Sequence, residues 1–231
     1  MSKIRLFLKE KIAPDLRIRA SKEQFHYLHN VMRITPKDDL FVFNGADGEW
    51  FCKLEGNFLV IKALSKKQTH NKKKICLCFA VPKLQALKNI VRQTTELGVD
   101  ILQPIYTERT VAKIKNTKKL TLWAIEAAEQ SCRNDIPKIQ QPISLHDVFL
   151  NYCNIFMFDK SAHDKQSCIE KIAQLDSCTL LIGPEGGFSE QEKNLQCKKI
   201  HLGNNTLRCD TAASCAVFYF KHYLGYQNKH G

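Results

Sequence analysis

With 231 residues, 44% of them apolar and 25% charged, the chain is long enough for one large domain or two small ones around a real core. No run of 18 apolar residues offers a transmembrane helix, and the start, MSKIRLFLKEKIAPD, breaks its apolar stretch with charges and lacks a small-residue cleavage site, unlike a signal peptide. The formal net charge of +12 is uneven: residues 1–74 carry 16 Lys and Arg against 8 Asp and Glu, residues 75–231 carry 19 against 15, so a basic, polyanion-binding module is expected beside a nearly neutral one.

Along the first half, IRLFL (4–8) reads as a strand. Ser21 and Gln24 form a capping box, predicting a helix with Phe25, Leu28, His29 and Met32 on one face. DLFVFNG and GEWFCKLEG are strand-like runs around Asn44-Gly45-Ala46-Asp47-Gly48, a hairpin signal, and NFLVIKAL (57–64) is one more strand. Short strands with a single helix predict a small β-barrel-like domain over residues 1–68. The basic stretch 69–74, inside KKQTHNKKK, reads as a linker.

The second half, 75–231, changes rhythm. ICLCFAV (75–81) is a buried-strand run, followed by a helix with Leu84, Leu87, Ile90, Val91, Thr94 and Leu97 at helical spacing. Then come ILQPIY, a helix around KLTLWAIEAAEQSC, the strand NIFMF (154–158), the helix DKQSCIEKIAQL, the strand CTLLIG (178–183), the helix SEQEKNLQ, the strand KIHLG (199–203) and the closing helix DTAASCAVFYFKHYL. Such alternation predicts an α/β fold with a parallel sheet and helices on its faces. The ten cysteines are scattered, without a C-x-x-C pair or zinc spacing, which points to reduced structural thiols in a cytosolic protein and to no metal site.

In parallel sheets, ligands bind beyond the carboxyl ends of strands, and two loops stand there. Gly183-Pro184-Glu185-Gly186-Gly187-Phe188 leads into a helix capped by Ser189 and Glu192. Three glycines with a proline and a carboxylate exceed what a tight turn needs, and they let backbone approach a ligand. The loop matches neither the Walker pattern nor G-x-G-x-x-G, which argues against a nucleoside triphosphate or a Rossmann-bound dinucleotide. The second loop runs from Leu202 and Gly203 through Asn204, Asn205, Thr206, Leu207, Arg208 and Cys209 to Asp210 and Thr211, where a helix with small residues Ala212, Ala213 and Ser214 begins. Asp210 or Thr211 also suits a plain helix cap, and Arg208 a plain surface charge. Glu96-Leu97-Gly98-Val99-Asp100 is ordinary helix termination. Glu126, Glu129 and Arg133 share a helix face, a pattern that equally describes a solvent-side ion-pair row.

IGPEGGFSEQE, TTELGVDILQP, EAAEQSCRNDIP and LGNNTLRCDTAA, in this order and spacing, resemble the ribosomal 16S RNA uridine N3-methyltransferases, a SPOUT family. RLFL and HYLHNVMRITPKDDLFVFNG resemble that family's PUA-like RNA-binding domain, so the likeness spans almost the whole chain. It implies a C-terminal α/β domain with a deep trefoil knot and bent S-adenosylmethionine among the knot loops. Leu181, Gly183, Pro184, Glu185, Gly186, Gly187, Leu202, Gly203, Leu207 and Thr211 would contact that cofactor. It further implies a homodimer acting on uridine 1498 of 16S RNA in the small ribosomal subunit. The chain departs from the family's L-G-x-R-I-L-R-x-E-T-A pattern at Asn205, Thr206 and Asp210, and retains Arg208 and Thr211.

Uridine N3 is a poor nucleophile until its proton leaves. Arg208 and Arg133 are candidates to stabilise the resulting anion, and Glu185 to accept the proton. Arg5, Arg17, Arg19, Lys22 and Arg33 would hold the RNA backbone. A SPOUT enzyme with another RNA target, and a ribosome-binding assembly factor without catalysis, stand as alternatives.

Overall fold

In the computed structural model, residues 4–35, 38–69, 73–160, 162 and 174–226 are described. The chain divides into two units: residues 1–70 with 128–136, and residues 71–127 with 137–231.

In the first unit, strands β1 (Ile4–Phe7), β2 (Arg17–Arg19), β3 (Leu40–Phe43), β4 (Glu49–Glu55) and β5 (Phe58–Lys66) form one curled sheet in the order β1-β3-β4-β5-β2. The hairpin signal marks the β3–β4 turn, where Phe43 faces Glu49 in antiparallel register. Asn44 Oδ1 accepts from the N–H groups of Ala46 and Asp47 at 3.0 and 2.8 Å, an Asx-type closure that explains why asparagine opens the turn. β1 runs parallel to β3, and the remaining pairs are antiparallel. Leu6, Leu8, Leu40, Val42, Cys52, Leu59 and Ile61 make the core under this sheet.

Ser21 does cap a helix, α1 (Lys22–His26), with both arms of the capping box present. The helix then widens into a π-turn over Tyr27–Val31. An i→i+5 turn advances the chain more slowly than 3.6-residue periodicity assumes. Hence Leu28 reaches the core, whereas His29, expected on the same buried face, is exposed and stacks on Phe25 with ring centroids 5.5 Å apart.

Arg5 is buried, contrary to the expectation from sequence. Expected on an RNA-facing surface, it is only 3% exposed. Its Nε donates to Glu49 Oε2 at 2.7 Å, Nη1 to Ala128 O at 2.8 Å, and Nη2 to Asn134 Oδ1 at 2.6 Å and Arg133 O at 3.1 Å. The guanidinium also lies 4.4 Å from the centroid of the Phe43 ring. With these donors taken inside the unit, the side chain ties residues 128–134 to the sheet and is not available to a phosphate.

The second unit holds β6 (Lys74–Ala80), α2 (Leu84–Glu96), β7 (Ile101–Tyr106) and α3 (Lys118–Gln130), whose last turn counts with the first unit. β8 (Lys138–Ile139), β9 (Ile143–Ser144), α4 (Leu145–Asn151), β10 (Ile155–Phe158) and β11 (Ser177–Ile182) follow. α5 (Glu190–Lys193), β12 (Lys198–Ile200) and α6 (Cys209–Tyr226) complete it. The sheet order is β12-β10-β11-β6-β7-β8, with β9 also on β7 and every pairing parallel. Residues 164–173 of the expected helix at 164–175 and the middle of the expected linker, 70–72, lie outside the described residues.

β6 explains the layering. Ile75, Leu77 and Phe79 join Ile90 and Val91 of α2 with Ala213, Ala216, Val217 and Phe220 of α6. Cys76, Cys78 and Ala80 face the other way, with Leu145 and Val148 of α4, Met157, Leu181 and Phe188. A strand covered on both faces is apolar throughout. The small residues at the start of α6 permit close packing: Ser214 Oγ donates to Gln93 Oε1 at 2.8 Å, and Asn89 Nδ2 to Asp210 Oδ2 at 2.8 Å. Leu84, expected on the buried face of α2, is exposed as that helix's first residue.

Candidate active site

The carboxyl ends of β10, β11 and β12 open onto a cavity of about 650 Å³, within the range of roughly 300–1,000 Å³ usual for small-molecule sites. Its lining comes from three stretches: Phe158, Asp159 and Lys160 after β10; Gly183 to Phe188 after β11; and Ile200 to Gly203 with Asn205 to Cys209 after β12. Arg109, Lys193, Ile182 and Ala212 complete the wall.

The glycine loop is shaped by packing. A Cβ at Gly183 would stand 2.8 Å from the ring of buried Phe188, so only glycine lets the chain turn over that ring. Gly187 has φ +69 and donates to Pro184 O at 2.9 Å, a closure that a side chain would strain. The loop is also braced from outside. Arg109 Nη1 donates to Gly186 O at 2.8 Å, and Glu192 Oε1 accepts from Glu108 N at 2.8 Å while its Oε2 caps Ser189 N.

In the second loop, the three departures from the expected pattern are accommodated locally. Thr206 Oγ1 accepts from Lys160 Nζ at 3.0 Å, Asp210 is held by Asn89, and Asn205 lines the cavity. Arg208 stands at the rim with its side chain 78% exposed and its Nε 3.7 Å from Asp210 Oδ1. Cys209 Sγ lies 4.0 Å from Glu185 Oε1. Burial, then the Glu185 and Asp210 carboxylates, push the Cys209 thiol up to about 11, so it stays protonated at neutral pH.

A family model for an RNA methyltransferase domain matches residues 69–221, and one for an RNA methyltransferase PUA domain matches residues 21–64. Ribosomal RNA small subunit methyltransferase E of Rickettsia conorii is 30% identical over 226 residues, covering 92% of this chain and 93% of that protein. The chain belongs to the ribosomal RNA small subunit methyltransferase E family. Its relative from Synechocystis is 29% identical over 236 residues, covering 89% of this chain and 74% of that one. Among solved structures, a Legionella pneumophila protein described as a putative methyltransferase in complex with the cofactor SAM has a TM-score of 0.85 and 25% identity, over 96% of this chain and 98% of that one. The small subunit methyltransferase E of Neisseria gonorrhoeae, at TM-score 0.84 and 21% identity over 96% and 98%, shares the fold. The α/β domain is thus of the SPOUT type, with a PUA domain before it.

For this RNA methyltransferase, the cavity brings together Gly183, Pro184, Glu185, Gly186, Gly187, Leu202, Gly203, Leu207 and Arg208. Leu181 stays in the core below it, and Thr211 is exposed on the first turn of α6. Arg133 is not among the lining residues; its Nε donates to Asp135 Oδ1 at 2.7 Å. Of the proposed RNA contacts, Arg17, Arg19, Lys22 and Arg33 are exposed, and Arg17 lies 5.2 Å from the centroid of the Phe58 ring. Sequence reasoning missed Arg109, Asp159, Lys160, Lys193 and Cys209. Asp159 and Lys160 had a signal, since they directly follow a strand predicted to be parallel. Arg109 had none, because only tertiary folding carries it to Gly186.

Proposed function

We propose that this chain transfers a methyl group from S-adenosylmethionine to N3 of one uridine, at position 1498, of 16S RNA in the small ribosomal subunit. The observation that carries it is the cavity where the GPEGG and GNNTLR loops meet, in a chain that matches its family over nearly its full length. The residues suit the cofactor. Glycine-rich backbone offers hydrogen-bond groups at close approach, Ile182, Ile200, Leu202 and Leu207 offer apolar surface, and Asp159 and Glu185 offer negative charge toward a cation. When bound, the cofactor supplies an activated methyl group on a sulfonium.

The chain's own part is to bring the base out of its stack, orient N3 in line and manage its proton. Arg208, exposed at the rim, presents a planar fork to the developing imide anion and its flanking carbonyl oxygens. Glu185, exposed on the adjoining loop, stands as the proton acceptor. Arg133, the second candidate for the anion, already serves Asp135. Arg17, Arg19, Lys22 and Arg33 hold RNA backbone. A deep trefoil knot in the C-terminal segment, domain limits at 68 and 75, cytosolic residence and a homodimer belong to the same proposal. For the homodimer, the exposed Leu84 of α2 and Phe218 of α6 offer apolar surface.

The test is single-turnover methylation of small ribosomal subunits purified from cells lacking this gene, followed by nucleoside mass spectrometry. N3-methyluridine is the expected product. Methyl transfer to a ribose hydroxyl, or to transfer RNA in preference to subunits, would replace this proposal with another SPOUT specificity.

A further inference from the structure

The net positive charge of the second half of the chain traces to one stretch free of acidic residues. Residues 75–231 carry 19 Lys and Arg against 15 Asp and Glu, but from Arg109 to Ile125 there are five basic residues and no acidic one. Without that stretch the half is slightly acidic, 14 against 15. The structure turns the stretch outward. Ile114 anchors it, its N–H donating to Tyr106 Oη at 3.1 Å while its side chain packs against the main core. On either side of the anchor Lys113 and Lys115 are exposed, and so are Lys118 and Lys119. Among the described residues Lys113, Lys115 and Lys118 are in no ion pair, while Lys119 Nζ lies 5.3 Å from the centroid of the Trp123 ring.

Two details point to use instead of mere solvation. Lys118 and Lys119 occupy the first turn of the 13-residue helix α3, which holds no acidic residue there. The positive end of the helix dipole disfavours cations at that position and favours carboxylates, so the arrangement works against the free protein's stability while strengthening attraction for anions. The run also begins at Arg109, which lines the cavity and holds Gly186 O.

We propose that the segment 109–119 is a phosphate-binding track for the substrate RNA. Lys113, Lys115 and Lys118 contact the RNA backbone, and Arg109 marks where the track meets the cavity. Resting on the function proposed above, this gives the methyltransferase unit its own RNA contacts in addition to those of the PUA domain.

Phosphate contacts are read from salt dependence, because each neutralised phosphate releases condensed counterions. The experiment titrates small ribosomal subunits from cells lacking this gene with wild-type protein and with the Lys113→Gln/Lys115→Gln/Lys118→Gln variant, across salt concentrations. Melting curves and calorimetry with S-adenosylmethionine accompany it. The triple variant is expected to bind subunits more weakly, with a log–log salt slope shallower by roughly 2–3, at about 0.7–0.9 per contact, and with cofactor affinity unchanged. Lys118→Glu alone, which suits the dipole, should melt higher yet bind subunits less tightly. A folded triple variant with wild-type slope and affinity overturns the track and leaves the proposed function standing. Wild-type protein without salt-dependent binding to subunits overturns both.

Discussion

Arg208 touches little: its side chain is largely exposed, with Asp210 the carboxylate 3.7 Å away. Arg208→Ala should therefore leave the melting temperature nearly unchanged. Loss of one donor aimed at a developing anion should lower the methyl-transfer rate roughly a hundred- to thousand-fold in single turnovers. Arg208→Lys should recover little, since an ammonium lacks the planar fork. A variant that melts early would make Arg208 a brace instead. The buried thiols lead to a pH dependence. Burial pushes Cys52 and Cys178 up to about 12 in the folded chain, against an ordinary value of 9.0. The folded state thus favours the neutral thiol. Its contribution is complete below pH about 9 and declines as pH rises from there toward 12. Melting temperatures should fall between pH 9 and 11, and Cys52→Ala/Cys178→Ala should flatten that fall. An equally steep fall in the double variant would place the effect elsewhere.

At the scale of elements, the glycine loop offers a matched pair of substitutions. Gly183→Ala puts a methyl 2.8 Å from the Phe188 ring, whereas at Gly186 the added Cβ would sit in ordinary contact, 3.6 Å from Arg109 Cδ. Overpacking of this kind costs about 1–3 kcal/mol. Gly183→Ala should melt early and lose S-adenosylmethionine binding in calorimetry, while Gly186→Ala keeps its melting point; equal effects would deny the ring its role.

The strand ICLCFAV was legible because both faces of β6 are buried, and the IGPEGG loop because it follows another such strand, β11, whereas LGNNTL follows β12, a short edge strand with Lys198 exposed. The π-turn after α1 was not legible. Nothing in YLHNV separates it from an α-helix until Leu28 is drawn into the core. α4 was missed although Ser144 and Asp147 form its capping box, because aspartate stands where the usual pattern has glutamate or glutamine.

At the scale of the whole molecule, the charge split anticipated a basic module and a separate one, but no reading of a linear chain places residues 128–136 with the first unit. One tie of that stretch to the sheet is Arg5, whose arginine-in-a-strand pattern looks like a surface charge and whose guanidinium instead donates to Glu49, Ala128, Arg133 and Asn134. Removing one partner of a buried pair costs about 3–5 kcal/mol. Arg5→Met should accordingly lower the chemical-denaturation midpoint strongly, and a midpoint within error of wild type would refute the clamp. Quantitative nucleoside mass spectrometry of 16S RNA from cells lacking this gene tests the proposed methylation of one small-subunit uridine and its need for Arg208. N3-methyluridine should disappear on deletion, return with the wild-type gene, and stay largely absent with Arg208→Ala. N3-methyluridine undiminished in the deletion strain would show that another enzyme makes this modification.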